Sequence, residues 1–248
     1  MTLSGRLTSH CTRRSAHARP ALDRIVTRAA AGERQGVSPI SKMLDLERWQ
    51  ATWKGLGVES PEADLYDVIR ACYAESHRSY HTIQHLEECF VNLDEARHLA
   101  DKVHEVELAL WFHDAVYEVR GQDNEEQSAS WARNAAIQQG VTRSVAERVH
   151  RLVLATKHNA TPASPDEALV VDVDLAILGA VVERFDEYER QVRQEYSWVP
   201  GFLFRRKRRE ILEAFLARPQ IYTTGHFRAR YEVAARANLA RSIERLGG

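Results

Sequence analysis

Residues 103–118 read VHEVELALWFHDAVYE. Apolar residues recur at helical spacing through Trp111 and Phe112 and return at Ala115, Val116 and Tyr117, so the stretch predicts an amphipathic helix. That helix carries His113 and Asp114 side by side within an apolar body. An imidazole and a carboxylate are costly to bury unless they are paired or coordinated. A lone His-Asp dipeptide is most simply a satisfied pair on a partly exposed turn, so the rest of the chain has to decide its meaning.

Working outward, the same i, i+3, i+4 spacing predicts helices over 44–57, 61–76, 82–99, 124–139, 142–157, 173–194, 203–217 and 227–246. The 44–57 segment closes on Gly, and the 61–76 segment opens on Pro61, both of which are helix punctuation. Strand-like alternation is confined to ALVVDV at 168–173, which can equally lead into a helix. Connections such as GQDN, TPASPDE and VPG are short, and no internal repeat is visible. The pattern predicts an all-α single domain over residues 43–248.

Composition agrees with that class. The chain has 248 residues, 28% of them charged, and a formal net charge of −1, so no global basic field argues for nucleic acid. No apolar run approaches the roughly 20 residues needed to span a membrane. Three scattered cysteines, Cys11, Cys72 and Cys89, form neither a disulfide framework nor a CxxC pair, which suits a reducing cytoplasm. Charge is uneven: residues 1–42 hold eight Arg/Lys against two Asp/Glu, leaving the remainder acidic. That basic, acid-poor stretch is expected to be disordered and to carry no function. It has the composition of a transit peptide, and an upstream start with the true beginning near Met43 explains it as plainly.

The chemistry-bearing residues sit in separate apolar segments. In SYHTIQHLEECF, His81 and His85 are four apart, which on a helix places them one turn apart on one face. The next such group is His113-Asp114, and VVDVDLAILG then supplies Asp172 and Asp174. A helical bundle can aim such side chains into one interior site. Imidazole with carboxylate suits Mn, Fe, Co, Ni or Zn better than Ca. DNEEQSA at 123–129 and His158 in LATKHN add further candidates.

The order H…HD…D, in the company of YHTIQH, LWFHDAVYE, NEEQS, ATKH, DVDLAILG, RQEY and ARANL, resembles the HD-domain superfamily of metal-dependent phosphohydrolases. The likeness runs over roughly residues 43–246 and is similar to a bacterial family of predicted HD-type phosphohydrolases. It implies an HD-like helical bundle with added C-terminal helices, a divalent transition metal (with Mg a further option), and a nucleotide or other small phosphoester as substrate. YHTIQH is also similar to the YHNxxH segment of cyclic-nucleotide phosphodiesterases, with Thr82 where that family has Asn.

Carried over, these resemblances imply His85, His113, Asp114 and Asp174 as metal ligands and His81 as the acid that protonates the leaving group. Asp174 is favoured over Asp172 because it directly precedes Leu175-Ala176; Asp172 is left as a supporting partner or a helix N-cap. Glu125 would orient the attacking water, or serve only as a helix-start carboxylate. His158 is a candidate for a second metal or for phosphate. Lys157, Arg193 and Arg208 are the candidate phosphate cations, with the rest of the 205–209 run read as a solvated face. Asn238 either reaches the site or bonds a neighbouring carbonyl. Tyr80, Tyr117 and Tyr196 flank these motifs. Two other functions compete: an HD-fold di-iron oxygenase, which would need His150 and His158 as extra ligands, and a helical binding module with a structural metal. The expected partner is a small-molecule phosphoester, with neither nucleic acid nor a membrane; the oligomeric state is left open, a homodimer being one option.

Overall fold

Two helices that are buried on nearly all sides set the architecture. In the computed structural model, which describes residues 42–247, Val103–Phe112 is buried continuously from Glu105 to Phe112, and Pro165–Asp174 is buried over nearly its whole length. Such a helix lies inside the fold. The remaining helices surround these two. The basic extension expected over residues 1–42 falls, except for Lys42, outside the described residues.

Ten α-helices and no strand occur among the described residues. In chain order they are α1 (Leu46–Gly55), α2 (Ala63–Tyr73), α3 (Ile83–Ala96), α4 (Val103–Phe112), α5 (Asn124–Gln138), α6 (Arg143–Ala155), α7 (Pro165–Asp174), α8 (Val182–Glu195), α9 (Gly201–Leu216) and α10 (Gly225–Gly247). A 3₁₀ turn, Leu175–Gly179, continues α7. The central α4 packs against α1, α3, α5, α6 and α7, while α9 pairs with α10 and α10 lies on the 3₁₀ turn. Gly179 permits that last approach, since a Cβ there would stand 2.6 Å from the Cβ of Tyr231. The core beside α4 is aromatic. Trp49 meets Trp111 edge-on at 5.2 Å, and Phe112 meets Trp131 at 5.5 Å, a geometry that adds about 0.5–1.5 kcal/mol per pair beyond area burial.

The all-α expectation holds, and the differences lie at helix ends. The predicted helix over 103–118 stops at Phe112, so His113 and Asp114 stand in a turn just beyond it. The predicted 173–194 helix is two elements, α7 and α8, with Asp174 as the last residue of α7. ALVVDV is helical. The start of α7 is written in its caps: Ser164 Oγ accepts from the Glu167 amide at 3.1 Å, Glu167 reaches back to the Ala163 amide at 2.7 Å, and Pro165 opens the helix. His81 is not on α3 with His85, because α3 begins only at Ile83.

Asp172 serves the fold. It is fully buried, and its two oxygens accept from the amides of Thr223 and Thr224 at 2.8 and 2.7 Å, fixing the chain where it enters α10. Burial pushes its carboxyl upward, and those amides oppose the shift without cancelling it. Replacing it orphans two donors. Asp172→Ala is therefore expected to cost about 1–3 kcal/mol in urea unfolding while leaving metal content unchanged. A loss of metal in a folded Asp172→Ala protein would return this residue to the candidate ligands.

Candidate metal centre

Three pieces of backbone converge on one point. His85 comes from the first turn of α3, His113 and Asp114 from the turn after α4, and Asp174 from the last residue of α7. The carbonyl ends of α4 and α7 thus both face this point, and helix C-termini favour positive charge. His85 and His113 are 2% and 1% exposed, whereas Asp114 and Asp174 are 17% and 14% exposed, so the carboxylates form the open side.

The ligand atoms are crowded. His85 Nε2 lies 3.1 Å from His113 Nε2, 3.5 Å from Asp114 Oδ2 and 3.2 Å from Asp174 Oδ1. His113 Nε2 lies 3.1 Å from Asp114 Oδ2 and 3.8 Å from Asp174 Oδ1. Ligands held about 2.0–2.2 Å from one ion stand about 3.0–3.5 Å apart, and every separation but the 3.8 Å from His113 to Asp174 falls in that range. Nδ1 of His113 faces the Leu110 carbonyl at 2.8 Å, an acceptor only, so that nitrogen carries the proton and Nε2 is turned to the cluster. Residues His85, Cys89, His113 and Asp174 bring their donor atoms within 4.8 Å of one another, a buried group that could hold a metal ion.

Cys89 is the member the sequence reading missed. It follows His85 by one helical turn, the signal that could have found it. Its sulfur is 3.8 Å from His85 Nδ1 and 3.7 Å from Nε2. Near-equal distances leave it facing neither ring nitrogen alone. Burial raises the Cys89 thiol, against the pull of His85. Asp114 Oδ2 stands nearer the imidazoles, 3.5 Å from His85 Nε2 and 3.1 Å from His113 Nε2.

The electrostatics follow from the crowding. Burial alone would raise both carboxyls, yet His113 and His81 hold Asp114 well below the usual range, and His158 and His85 do the same to Asp174. Reciprocally, burial works against protonating His85 and His113; Cys89, Tyr80 and then the two carboxylates push His85 upward, and Asp114 and Asp174 push His113 upward. The two carboxylates hold positive charge in the cluster, a role a divalent cation takes over from protons.

His81 stands beside this group on a separate support. Its Nδ1 is 2.8 Å from Glu195 Oε2, and a carboxylate can only accept, so Nδ1 carries the proton and Nε2 is left available. Its ring stacks on Tyr117 with centroids 4.1 Å apart. The Glu195 side chain has no exposure. Its Oε1 accepts from the amides of Ser79, Tyr80 and His81 at 2.8, 2.8 and 3.1 Å, and Oε2 accepts also from the Tyr117 hydroxyl at 2.8 Å. Burial opposes ionising Glu195, but His81 and those amides win and hold its carboxyl down to about 2. Sequence reading quoted RQEY for Arg193 and Tyr196 and passed over Glu195.

The other candidates divide. His158 Nε2 is 2.9 Å from Asp174 Oδ2, and its backbone has φ of 56°, an uncommon left-handed conformation that closes α6. Lys157 pairs with Glu126, and Glu125 is half-buried on α5 with no hydrogen bond among the described residues. Three expected site residues belong to the scaffold. Arg193 donates to the carbonyls of Tyr196 and Val199 at 2.5 and 3.1 Å, closing α8. Arg208, the one buried member of its basic run, pairs with Glu189 over the Tyr188 ring. Asn238 donates to the carbonyls of Leu178 and Ala180 at 3.0 and 2.9 Å, clamping the 3₁₀ turn. His150 has Arg133, Glu147 and Arg151 as its charged neighbours, none of them in the cluster.

A cavity of about 460 Å³ opens on the Cys89 side of His85 and Asp174, walled by Glu88, Asn92, Arg184, Arg230 and Tyr231 with Val173, Ile177 and Val181. Arg184 and Glu88 form a bidentate pair across it, at 2.6 and 3.0 Å. Tyr80 Oη is buried without a hydrogen-bond partner, and its ring lies 4.6 Å from that of His85. No helix of the described residues is long and apolar enough to cross a membrane. Compared with known protein families, curated proteins and solved structures, the chain matches none.

Two tests follow. His113→Ala and Asp114→Ala should each drop bound metal from about one per chain to a small fraction, since a bundle site loses affinity steeply with any ligand; full retention in both would remove them from the centre. Glu195 has a depressed carboxyl in the folded chain, so its stabilisation is complete above the ordinary value of 4.5 and fades as pH falls toward about 2. The stability difference between wild type and Glu195→Gln should be flat above pH 5 and shrink below about 4.5. A difference that stays constant down to pH 2 would contradict the ionised network.

Proposed function

We propose that this chain is a divalent-metal phosphohydrolase of the HD type, acting on a nucleotide or another small phosphoester. The observation that carries the reading is the His81–Glu195 pair standing beside the His/Asp group. A metal that only braces a fold has no use for an imidazole held at one nitrogen by a buried carboxylate and left available at the other. The order of the ligands along the chain, and the likeness of their segments to HD hydrolases, support the same class.

In this reading His85, His113, Asp114 and Asp174 hold the metal, with imidazole and carboxylate suiting Mn, Fe, Co, Ni or Zn, and Mg a further option. When bound, the metal supplies Lewis acidity and makes hydroxide available near neutral pH. The chain's own residues do the rest. His113 is oriented by the Leu110 carbonyl. His158 holds the outer oxygen of Asp174 and keeps that carboxylate aimed. His81 delivers the proton from Nε2 to the departing oxygen, while Glu195 keeps Nδ1 protonated and stabilises the imidazolium before transfer. The adjoining cavity is of the size that small-molecule sites have.

His81→Ala should retain metal yet lose rate by about 10²–10⁴-fold, most severely for substrates with poor leaving groups. Metal analysis of the purified chain and phosphate release from a nucleotide panel with added Mn²⁺, Co²⁺, Ni²⁺ or Mg²⁺ test the class directly. Metal-dependent release of phosphate or nucleoside is the expected result. Stoichiometric metal with no turnover on any phosphoester would overturn it in favour of a binding module.

A further inference from the structure

Arg78 lies outside every motif considered above, yet it joins the two stretches of irregular chain on which the site depends. His81 belongs to the connector between α2 and α3, and Asp114 to the turn after α4. Neither stretch has a helical ladder to hold its carbonyls. The Arg78 side chain has no exposure and lies between the rings of Tyr73 and Tyr117, with centroids 5.4 and 5.3 Å from its guanidinium carbon.

Its donors are completely used. Nη1 donates to the Asp114 carbonyl at 2.6 Å and to the His81 carbonyl at 3.2 Å. Nη2 donates to the Ala115 carbonyl at 3.1 Å and lies 3.0 Å from Glu75 Oε2, to which Nε also donates at 3.1 Å. Glu75 neutralises the charge, so the pair is not an isolated buried cation. One guanidinium therefore grips the backbone of a metal-ligand candidate and the backbone of the candidate acid at the same time.

We propose that Arg78 is the positioning residue of this centre: it sets the place of the Asp114 carboxylate in the ligand group and the distance of His81 from it. It touches no reacting atom and acts through those two backbones. Only a planar fork serves all three carbonyls and the carboxylate together; lysine offers a single ammonium on a flexible stem and leaves acceptors unmatched. The inference rests on the metal centre, not on the reaction assigned to it.

Cobalt binding by the full chain tests it without any substrate. Wild type, Arg78→Lys and Arg208→Lys are titrated with Co²⁺, and the visible ligand-field spectrum, dissociation constant and melting temperature are recorded. Arg208 is an equally buried arginine whose partner is Glu189, so its variant reports the general cost of losing a buried guanidinium. Arg78→Lys is expected to weaken Co²⁺ binding by about 10–100-fold and to alter the spectrum, as changes behind metal ligands do. Arg208→Lys should melt at a similar temperature with cobalt binding unchanged. A folded Arg78→Lys protein with wild-type affinity and spectrum overturns the proposal and leaves the metal centre standing. Failure of wild type to bind cobalt overturns the metal centre and this proposal with it.

Discussion

The site depends on two partly buried carboxylates, Asp114 and Asp174, set against two buried imidazoles, His85 and His113. Like charges this close cannot remain ionised in a low-dielectric interior without compensating positive charge. Against burial, His113 and His81 lower the Asp114 carboxyl, and His158 and His85 lower that of Asp174. The carbonyl ends of α4 and α7 point at the same place and add to the demand for a cation. A divalent ion satisfies that demand with fewer protons and a defined geometry, which is why the arrangement reads as a metal centre.

The scaffold is shaped to deliver those groups. α4 and α7 are buried on nearly all sides, and each ends where a ligand is needed. Their buried acids lie away from the centre and are matched: Glu105 with Arg148, Glu107 with Arg48, Arg97 and His104, Asp166 with the amides of Asp101 and Lys102. The phosphate candidates Arg193 and Arg208 serve the scaffold instead, and Asn238 takes the second of its two expected roles, bonding neighbouring carbonyls. Arg193 closes α8, Asn238 clamps the 3₁₀ turn, and Arg208 ties α9 to α8 through Glu189. Of these contacts, the Asn238 clamp alone bears on the turn that continues directly from Asp174.

In the proposed reading, a division of labour separates metal binding from proton transfer. The ligand group hangs from helix ends, while His81 hangs from a connector fixed by Glu195 and Arg78. Glu195 draws three consecutive amides and a tyrosine hydroxyl to one carboxylate, which ties the connector down at His81. A fixed position suits the proton-donor role proposed for His81.

By itself the sequence determined the helical class, through apolar spacing, and the members of the centre that share a segment or a helix turn, His113 with Asp114 and His85 with its following residues. It also marked Asp172 and Asp174 as alternatives, since an acid in an apolar run must be compensated. Helical periodicity vanishes in a helix buried on every side, so α7 was hidden in a strand-like run and the break before α8 was lost. What only the tertiary structure decided is which partner each polar group meets. Asp174 turns to the imidazoles and Asp172 to the amides of Thr223 and Thr224. Glu195 reaches His81 across 114 residues, and Arg78 joins two loops. Such pairings depend on where helices end and how they cross, and a one-dimensional pattern carries the faces of helices but not the directions in which their ends point.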